Sequence, residues 1–240
     1  MRASGQHIVI VFVKAPRPGT VKTRLTPFLS AEESARLYRA FIQDTVATVS
    51  GVKGVLISVA YTPSDAQPSL QTLLNGHALD WFPQTGDTLG ARLWHAFHRA
   101  FQRGAARVVT IGSDSPTLPA SILTQAFEGL ISSDVVIGPA TDGGYYLIGL
   151  RRRKGWMDAY QRLFEQIAWS TETVFRQTIE AIHTTDLTCI ELPRWSDIDQ
   201  PDDLIRLSDE IDRLRAAGDT ARAVHTERIL TDIKKYERSS

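Results

Sequence analysis

The sequence predicts an α/β/α sandwich built on a mostly parallel, mixed sheet. Apolar, β-branched runs recur along the chain, helical periodicities separate the early ones, and the tripeptide Asp142-Gly143-Gly144 joins two of the later ones. Continuous apolar runs suit strands buried on both faces, as in a parallel sheet covered by helices. The Asp-Gly-Gly turn admits a hairpin and with it one antiparallel pairing.

The first strand is expected at 7–13, where the apolar run is far shorter than the roughly 20 residues a membrane span needs. A helix follows at 30–49, opened by the capping box of Ser30 and Glu33 and continued on one face by Leu37, Phe41 and Thr45. The next strand falls at 55–61. Leu89, Leu93, Ala96, Phe97, Ala100 and Phe101 then repeat at helical spacing and stop at Gly104, a residue suited to a helix end. Strands at 108–112, 135–138, 145–150 and 187–192 complete the sheet, with Cys189 read as a strand residue. Helices are expected at 119–130, after Ser170 or Thr171 as N-cap, and after Pro201, where Leu204, Leu207, Ile211 and Leu214 form one stripe. A break at Gly218-Asp219 divides a domain at 1–217 from a charged helical extension at 218–240.

Lys plus Arg number 27 and Asp plus Glu number 27, so no global field recruits nucleic acid or an anionic membrane. Any anion site must be local. The single cysteine excludes an intramolecular disulfide and a thiolate zinc site, and together with the lack of a secretory pattern it predicts a cytoplasmic protein without a membrane span.

Residues 14–27 read KAPRPGTVKTRLTP, which crowds Lys14, Arg17, Lys22 and Arg24 onto one strand end beside Gly19. Prolines pre-set the backbone, glycine permits close approach, and the cations match the charge of a di- or triphosphate. The Walker A spacing is absent, and a solvated basic turn is the competing reading.

Gly112-Ser113-Asp114-Ser115-Pro116 ends another strand and aims a carboxylate at the expected cleft. Mg²⁺ is held by one or two carboxylates together with substrate phosphates, so Asp114 facing a basic loop has suitable chemistry; the alternative is that Asp114 and Ser115 cap the following helix. Ser115 has no nucleophile elbow around it. In WSDIDQPDDL, period-two geometry puts Asp197 and Asp199 on one side with Ile198 facing the core. Asp202 and Asp203 serve the helix dipole, leaving Asp199, or else Asp197, as the second metal acid.

VKAPRPGTVKTRL, GSDSPTLP, TDGGYYLIGL, IAWST and WSDIDQPDDL, in this order from about residue 8 to 207, resemble a family of bacterial glycosyltransferase-like proteins formerly catalogued as a domain of unknown function. That family has the nucleotide-diphospho-sugar transferase fold and is similar to archaeal phospholactate guanylyltransferases and, more remotely, to molybdenum cofactor guanylyltransferases. The resemblance implies a GT-A-like fold, a nucleotide over the first strand's loop, and Mg²⁺ or Mn²⁺ between Asp114 and Asp199. Lys14, Arg17, Gly19, Lys22, Arg24 and Ser113 would hold the nucleotide, with Lys22, Arg24 and Asp114 acting in catalysis. Asp142, Gly143 and Gly144 would face the sugar or acceptor.

Ile167-Ala168-Trp169 departs from the family's proline before the tryptophan, and Arg151-Arg152-Arg153-Lys154 lengthens the segment ahead of it. This basic run reads as a solvated loop or as an acceptor-phosphate contact. Trp169 reads as packing or as a substrate contact, whereas Trp81, Trp94 and Trp156 read as packing. The expected activity is metal-dependent glycosyl transfer from a nucleotide-diphospho-sugar to a small-molecule acceptor. The alternatives are nucleotidyl transfer to a phosphorylated acceptor with pyrophosphate release, and a non-catalytic nucleotide-binding module.

Overall fold

The computed structural model describes residues 5–26 and 28–237, and the side chains as far as residue 233. Pro27 of the basic loop and the outermost ends of the two expected segments lie outside the described residues.

Seven strands, β1 (Gln6–Lys14), β2 (Val55–Thr62), β3 (Leu79–Pro83), β4 (Ala105–Ile111), β5 (Val135–Pro139), β6 (Tyr145–Arg151) and β7 (Cys189–Glu191), form one sheet in the order β3-β2-β1-β4-β6-β5-β7. β6 runs antiparallel to both of its neighbours, β4 and β5, while the other pairings are parallel. The hairpin and the mixed sheet expected from Asp142-Gly143-Gly144 are therefore present. One antiparallel strand in the middle has a positional consequence. The start of β6 joins the carboxyl ends of β1, β4 and β5 at one edge, and the end of β6 is carried to the opposite edge.

The helices are α1 (Ala31–Ser50), α2 (Gln67–Leu73), α3 (Leu89–Gln102), α4 (Ala120–Ser132), α5 (Trp156–Arg162), α6 (Val174–His183), α7 (Pro201–Ala216) and α8 (Val224–Glu237). They bury two apolar clusters, one on each face of the sheet. Val9, Val11 and Val109 meet α1, α4 and α7 on one side, and Ile8, Ile10 and Val108 meet α3 and α5 on the other. Alternate residues of the same strands enter opposite clusters, which accounts for the continuous apolar runs. The Ser30–Glu33 capping box opens α1 as expected. Trp94 and Trp156 pack with Phe101 and Tyr160 in the second cluster's aromatic group.

α8 docks on α1 through a buried acid. The Asp44 carboxylate accepts the backbone N–H groups of His225 and Thr226 at 3.0 and 2.8 Å and the Thr226 hydroxyl at 2.6 Å. It thereby satisfies the exposed donors of a helix N-terminus with a favourable charge.

One expectation is corrected, and two of the competing readings are not met. The helix after Trp169 starts at Val174 rather than behind a Ser170 or Thr171 cap. Ser170 instead takes a left-handed backbone (φ 66) in the preceding loop, and Thr173 is the N-cap. Asp114 and Ser115 do not cap α4, whose N-cap is Pro119 without a side-chain bond. The Arg151–Lys154 run leaves β6 at the edge remote from the β1 loop. There Arg151 and Arg153 clasp the buried Asp134 carboxylate at 2.8 and 3.0 Å, as structural counter-ions rather than acceptor contacts.

Candidate functional site

The cleft lies at the edge where β1, β4 and β5 end and β6 begins. The loop after β1 returns over this edge through a short 3-10 turn, Thr23–Leu25, which Lys22 enters in the left-handed region (φ 49). A non-glycine residue held there costs on the order of 1 to 3 kcal/mol and persists where surrounding contacts fix it. The contacts are on the side chain. Lys22 Nζ, buried, is bonded to Asp114, lies 2.9 Å from Asp199 Oδ1 and donates to the Ile198 carbonyl at 2.7 Å. A backbone bond from Ile198 N–H to Asp114 O (3.0 Å) ties the two acidic loops together beneath it. Ile198 is buried and its two flanking acids line the cleft, as period-two geometry requires.

Burial alone would pull the Lys22 ammonium down, but the carboxylates of Asp114 and Asp199 outweigh it and hold the pKa above the ordinary lysine value. Asp197 experiences the reverse. Burial first, and then the charges of Asp114 and Asp142, push its carboxyl up to about 7, although Ser115 Oγ donates to it at 2.6 Å. Ser115 thus supports an acid and is not placed as a nucleophile. Asp203 accepts the backbone N–H groups of Asp199 and Gln200 and closes the capping box of α7, with Asp202 in the first turn; the latter pair serves the helix.

A cavity of about 490 Å³ opens above the bridge, with Arg24, Asp142, Gly144, Trp169, Glu172, Asp197 and Asp199 in its wall. A second, more apolar cavity of about 350 Å³ shares Leu89, Tyr145 and Asp197 with it and reaches Lys14, Gln84, Arg92 and Asp114. The four loop cations therefore separate. Lys22 and Arg24 face the first cavity. Lys14 faces the second while its Nζ donates to Thr20 O at 2.7 Å. Arg17 turns away to pair with Asp65 at 2.8 Å beside a different hollow. Gly19, at φ 72 with open space around its Cα, forms the loop tip.

Ser113 is buried between the Tyr38 hydroxyl (2.7 Å) and the Phe12 carbonyl (3.1 Å), where it braces the strand end instead of lining either cavity. Of the hairpin residues, Gly144 and Asp142 reach the first cavity, and Asp142 Oδ1 also accepts the Gly144 N–H at 2.8 Å. Gly143 (φ 89) lies beneath. A Cβ there would stand 2.1 Å from the Glu172 carbonyl oxygen, so its glycine lets the 170–172 segment pack on the turn. Glu172, Thr23, Leu89, Gln84 and Arg92 escaped sequence reasoning. Each is an ordinary loop or helix residue in the sequence, and only the fold brings it to the cleft.

Two carboxylates set across one cation are hard oxygen donors, and Asp114 and Asp199 are each about two-fifths exposed (40% and 42%) toward the cleft. No group of three or more His, Cys, Asp or Glu side chains among the described residues forms a complete metal cage. The pair suits an ion that takes one or two protein carboxylates and draws its remaining ligands from phosphates and water, the habit of Mg²⁺ and of hard divalent ions like it.

A mixed seven-strand sheet in this order, with a basic loop after β1 and acids after β4 and β7 meeting at one edge, is an α/β/α architecture of the GT-A-like kind, as its likeness to a solved structure shows. The chain belongs to the family described as uncharacterized protein conserved in bacteria (DUF2064), whose model matches residues 45–171. It is similar to a candidate nucleotide-diphospho-sugar transferase from Desulfovibrio desulfuricans G20, at 32% identity over 96% of this chain and 97% of that one, with a TM-score of 0.83. The fold is shared with 4-diphosphocytidyl-2C-methyl-D-erythritol synthase from Anaerococcus prevotii DSM 20548 (TM-score 0.60, 13% identity, 86% and 96% covered). It is shared also with CMP:2-keto-3-deoxy-manno-octonic acid synthetase complexed with CTP (TM-score 0.54, 12% identity, 87% and 99% covered). No curated protein sequence matches significantly. Among the described residues no helix is long and apolar enough to cross a membrane.

Proposed function

We propose that the protein is a transferase acting on a nucleotide donor, and that the reaction is glycosyl transfer from a nucleotide-diphospho-sugar. The observation that carries this is the Lys22 bridge to Asp114 and Asp199, next to Arg24, at the mouth of two adjoining cavities. Its charges suit a diphosphate with a divalent ion. The more apolar cavity suits a nucleoside, and the polar one suits a sugar and its acceptor. The similar Desulfovibrio protein is described as a candidate of this same kind, over nearly the whole chain.

Asp114 and Asp199 would hold Mg²⁺ or Mn²⁺, which when bound supplies charge neutralisation for the departing diphosphate. Lys22 and Arg24 stabilise the same developing charge from the protein side. In the transfer an acceptor hydroxyl oxygen bonds to C1 of the donor sugar and the bond from C1 to the diphosphate oxygen breaks. The electron pair leaves with the nucleoside diphosphate, and the hydroxyl proton is released to water. We assign the catalytic unit to 1–217, with 218–240 as its packing extension.

Release of nucleoside diphosphate from a panel of nucleotide-sugars with Mg²⁺, slow in water and faster with an acceptor, is the expected result. Pyrophosphate released from a nucleoside triphosphate, with none of the sugar donors consumed, would establish nucleotidyl transfer instead.

A further inference from the structure

The wall of the first cavity away from the Lys22 bridge is acidic and aromatic. Asp142 and Glu172 are exposed there, Asp197 lies deeper, and the cations of the same lining are Lys22 and Arg24. Trp169 stands among them, half-buried and held from behind. Gly90 of α3 makes room for the indole, since a Cβ there would lie 2.7 Å from Trp169 Nε1, and the Tyr145 ring meets it edge-on at a centroid distance of 6.2 Å. The loop carrying it is pinned to α6 by the Ala168 N–H, which donates to Gln177 Oε1 at 2.7 Å.

Carboxylates only accept hydrogen bonds when ionised, so this wall calls for donors on the ligand. A fixed aromatic face calls for an apolar surface laid against it. A phosphate group meets neither demand, and its negative charge would face the Asp142 and Glu172 carboxylates at short range. A polyhydroxylated ring or chain meets both, with hydroxyl donors at its rim and C–H groups on its face.

We infer that the acceptor is a neutral, sugar-like polyhydroxy compound without a phosphate group, lying against Trp169 with its hydroxyls donating to Asp142 and Glu172. This rests on the glycosyl-transfer reading, and it excludes the phosphorylated acceptor that nucleotidyl transfer would use.

The test reads binding without any donor. Saturation-transfer NMR on the full chain would compare glucose, mannose, ribose and glycerol with the phosphate monoester of each, and with choline as a cationic probe of the same wall. The expected result is saturation of at least one neutral compound, about five-fold or more above its monoester and above choline. Trp169→Ala should abolish it. The exposed, size-conserving double variant Asp142→Asn/Glu172→Gln should narrow the gap between the neutral compound and its phosphate. A stronger signal from a monoester or from choline, or no signal from any neutral compound, overturns the inference. If a neutral compound binds but no nucleotide-sugar is consumed, the donor reading fails and the ligand class stands. If diphosphate is released while only phosphorylated probes bind, the reverse holds.

Discussion

Lys22 Nζ lies 2.9 Å from Asp199 Oδ1, a contact between side chains 177 positions apart, and the same ammonium is bonded to Asp114. One cation thus holds together the loops after β1, β4 and β7. A divalent ion bound by the two acids would compete with Lys22 for their oxygens, so each partner's removal has a distinct outcome.

Asp114→Ala and Asp199→Ala should each lose most of the Mg²⁺-dependent part of nucleoside diphosphate binding while remaining folded, because each removes one of the two carboxylates that would hold the ion against the phosphates. Asp202→Ala, altered only in the first turn of α7, should bind as the parent does. Titration calorimetry with and without Mg²⁺ measures this. Undiminished metal-dependent binding by Asp114→Ala would remove the assignment.

Lys22→Ala and Arg24→Ala should weaken a nucleoside diphosphate by about 10- to 100-fold, since a charge-assisted hydrogen bond contributes roughly 1.5 to 3 kcal/mol. The bare nucleoside should be little affected. Arg17→Ala should change neither, because Arg17 is paired with Asp65 outside the cleft. Equal losses for nucleoside and diphosphate would show that the loop acts through folding.

Asp197 makes stability depend on pH in metal-free buffer. Its carboxyl is held up to about 7 in the folded chain against 3.8 as an ordinary aspartate, so the folded state binds this proton more tightly. The resulting stabilisation is complete below the unfolded value and is lost as pH rises through the folded one, with a slope of at most about 1.4 kcal/mol per pH unit. Asp197→Asn should therefore gain stability relative to the parent between pH 5 and pH 8. Denaturant unfolding at those two values, in EDTA, checks this; an unchanged difference would refute it.

Gly143→Ala should lower the melting temperature and reduce binding in the first cavity, because the added Cβ meets the Glu172 carbonyl oxygen at 2.1 Å on a backbone at φ 89. The left-handed backbone alone costs about 1 to 2 kcal/mol. Gly19→Ala has the same backbone demand but open space, and it should cost less. A thermal melt in which the two variants match would contradict the close packing.

The strands that carry the site were legible because each holds a short apolar stretch, as in VVTI of β4 and YYLIGL of β6; Asp114 stood out by following one, and Asp199 by its place two residues after Asp197 and just ahead of the α7 proline. β3 was missed because Asp80 breaks its apolar pattern, although it pairs along β2 as an edge strand. α2 and α5 are each only seven residues long, too short for a helical period to declare itself. Arg17 is three residues from Lys14 and five from Lys22, and proximity in sequence suggested a shared target; the turn at 17–20 sends it to Asp65. Nor could sequence show that the extension begins with donors awaiting Asp44, since that pairing joins residues 181 and 182 positions apart.

The Lys22–Asp199 contact also fixes when the cleft can first exist. At about 5 to 20 residues per second, the ribosome delivers Asp199 on the order of ten seconds or more after Lys22, and the early strands must wait that long with a lysine that has no counter-ion after β7. Chaperones that shield the N-terminal half during synthesis would therefore act on a chain able to pair β1 with β2 but not yet able to hold a nucleotide.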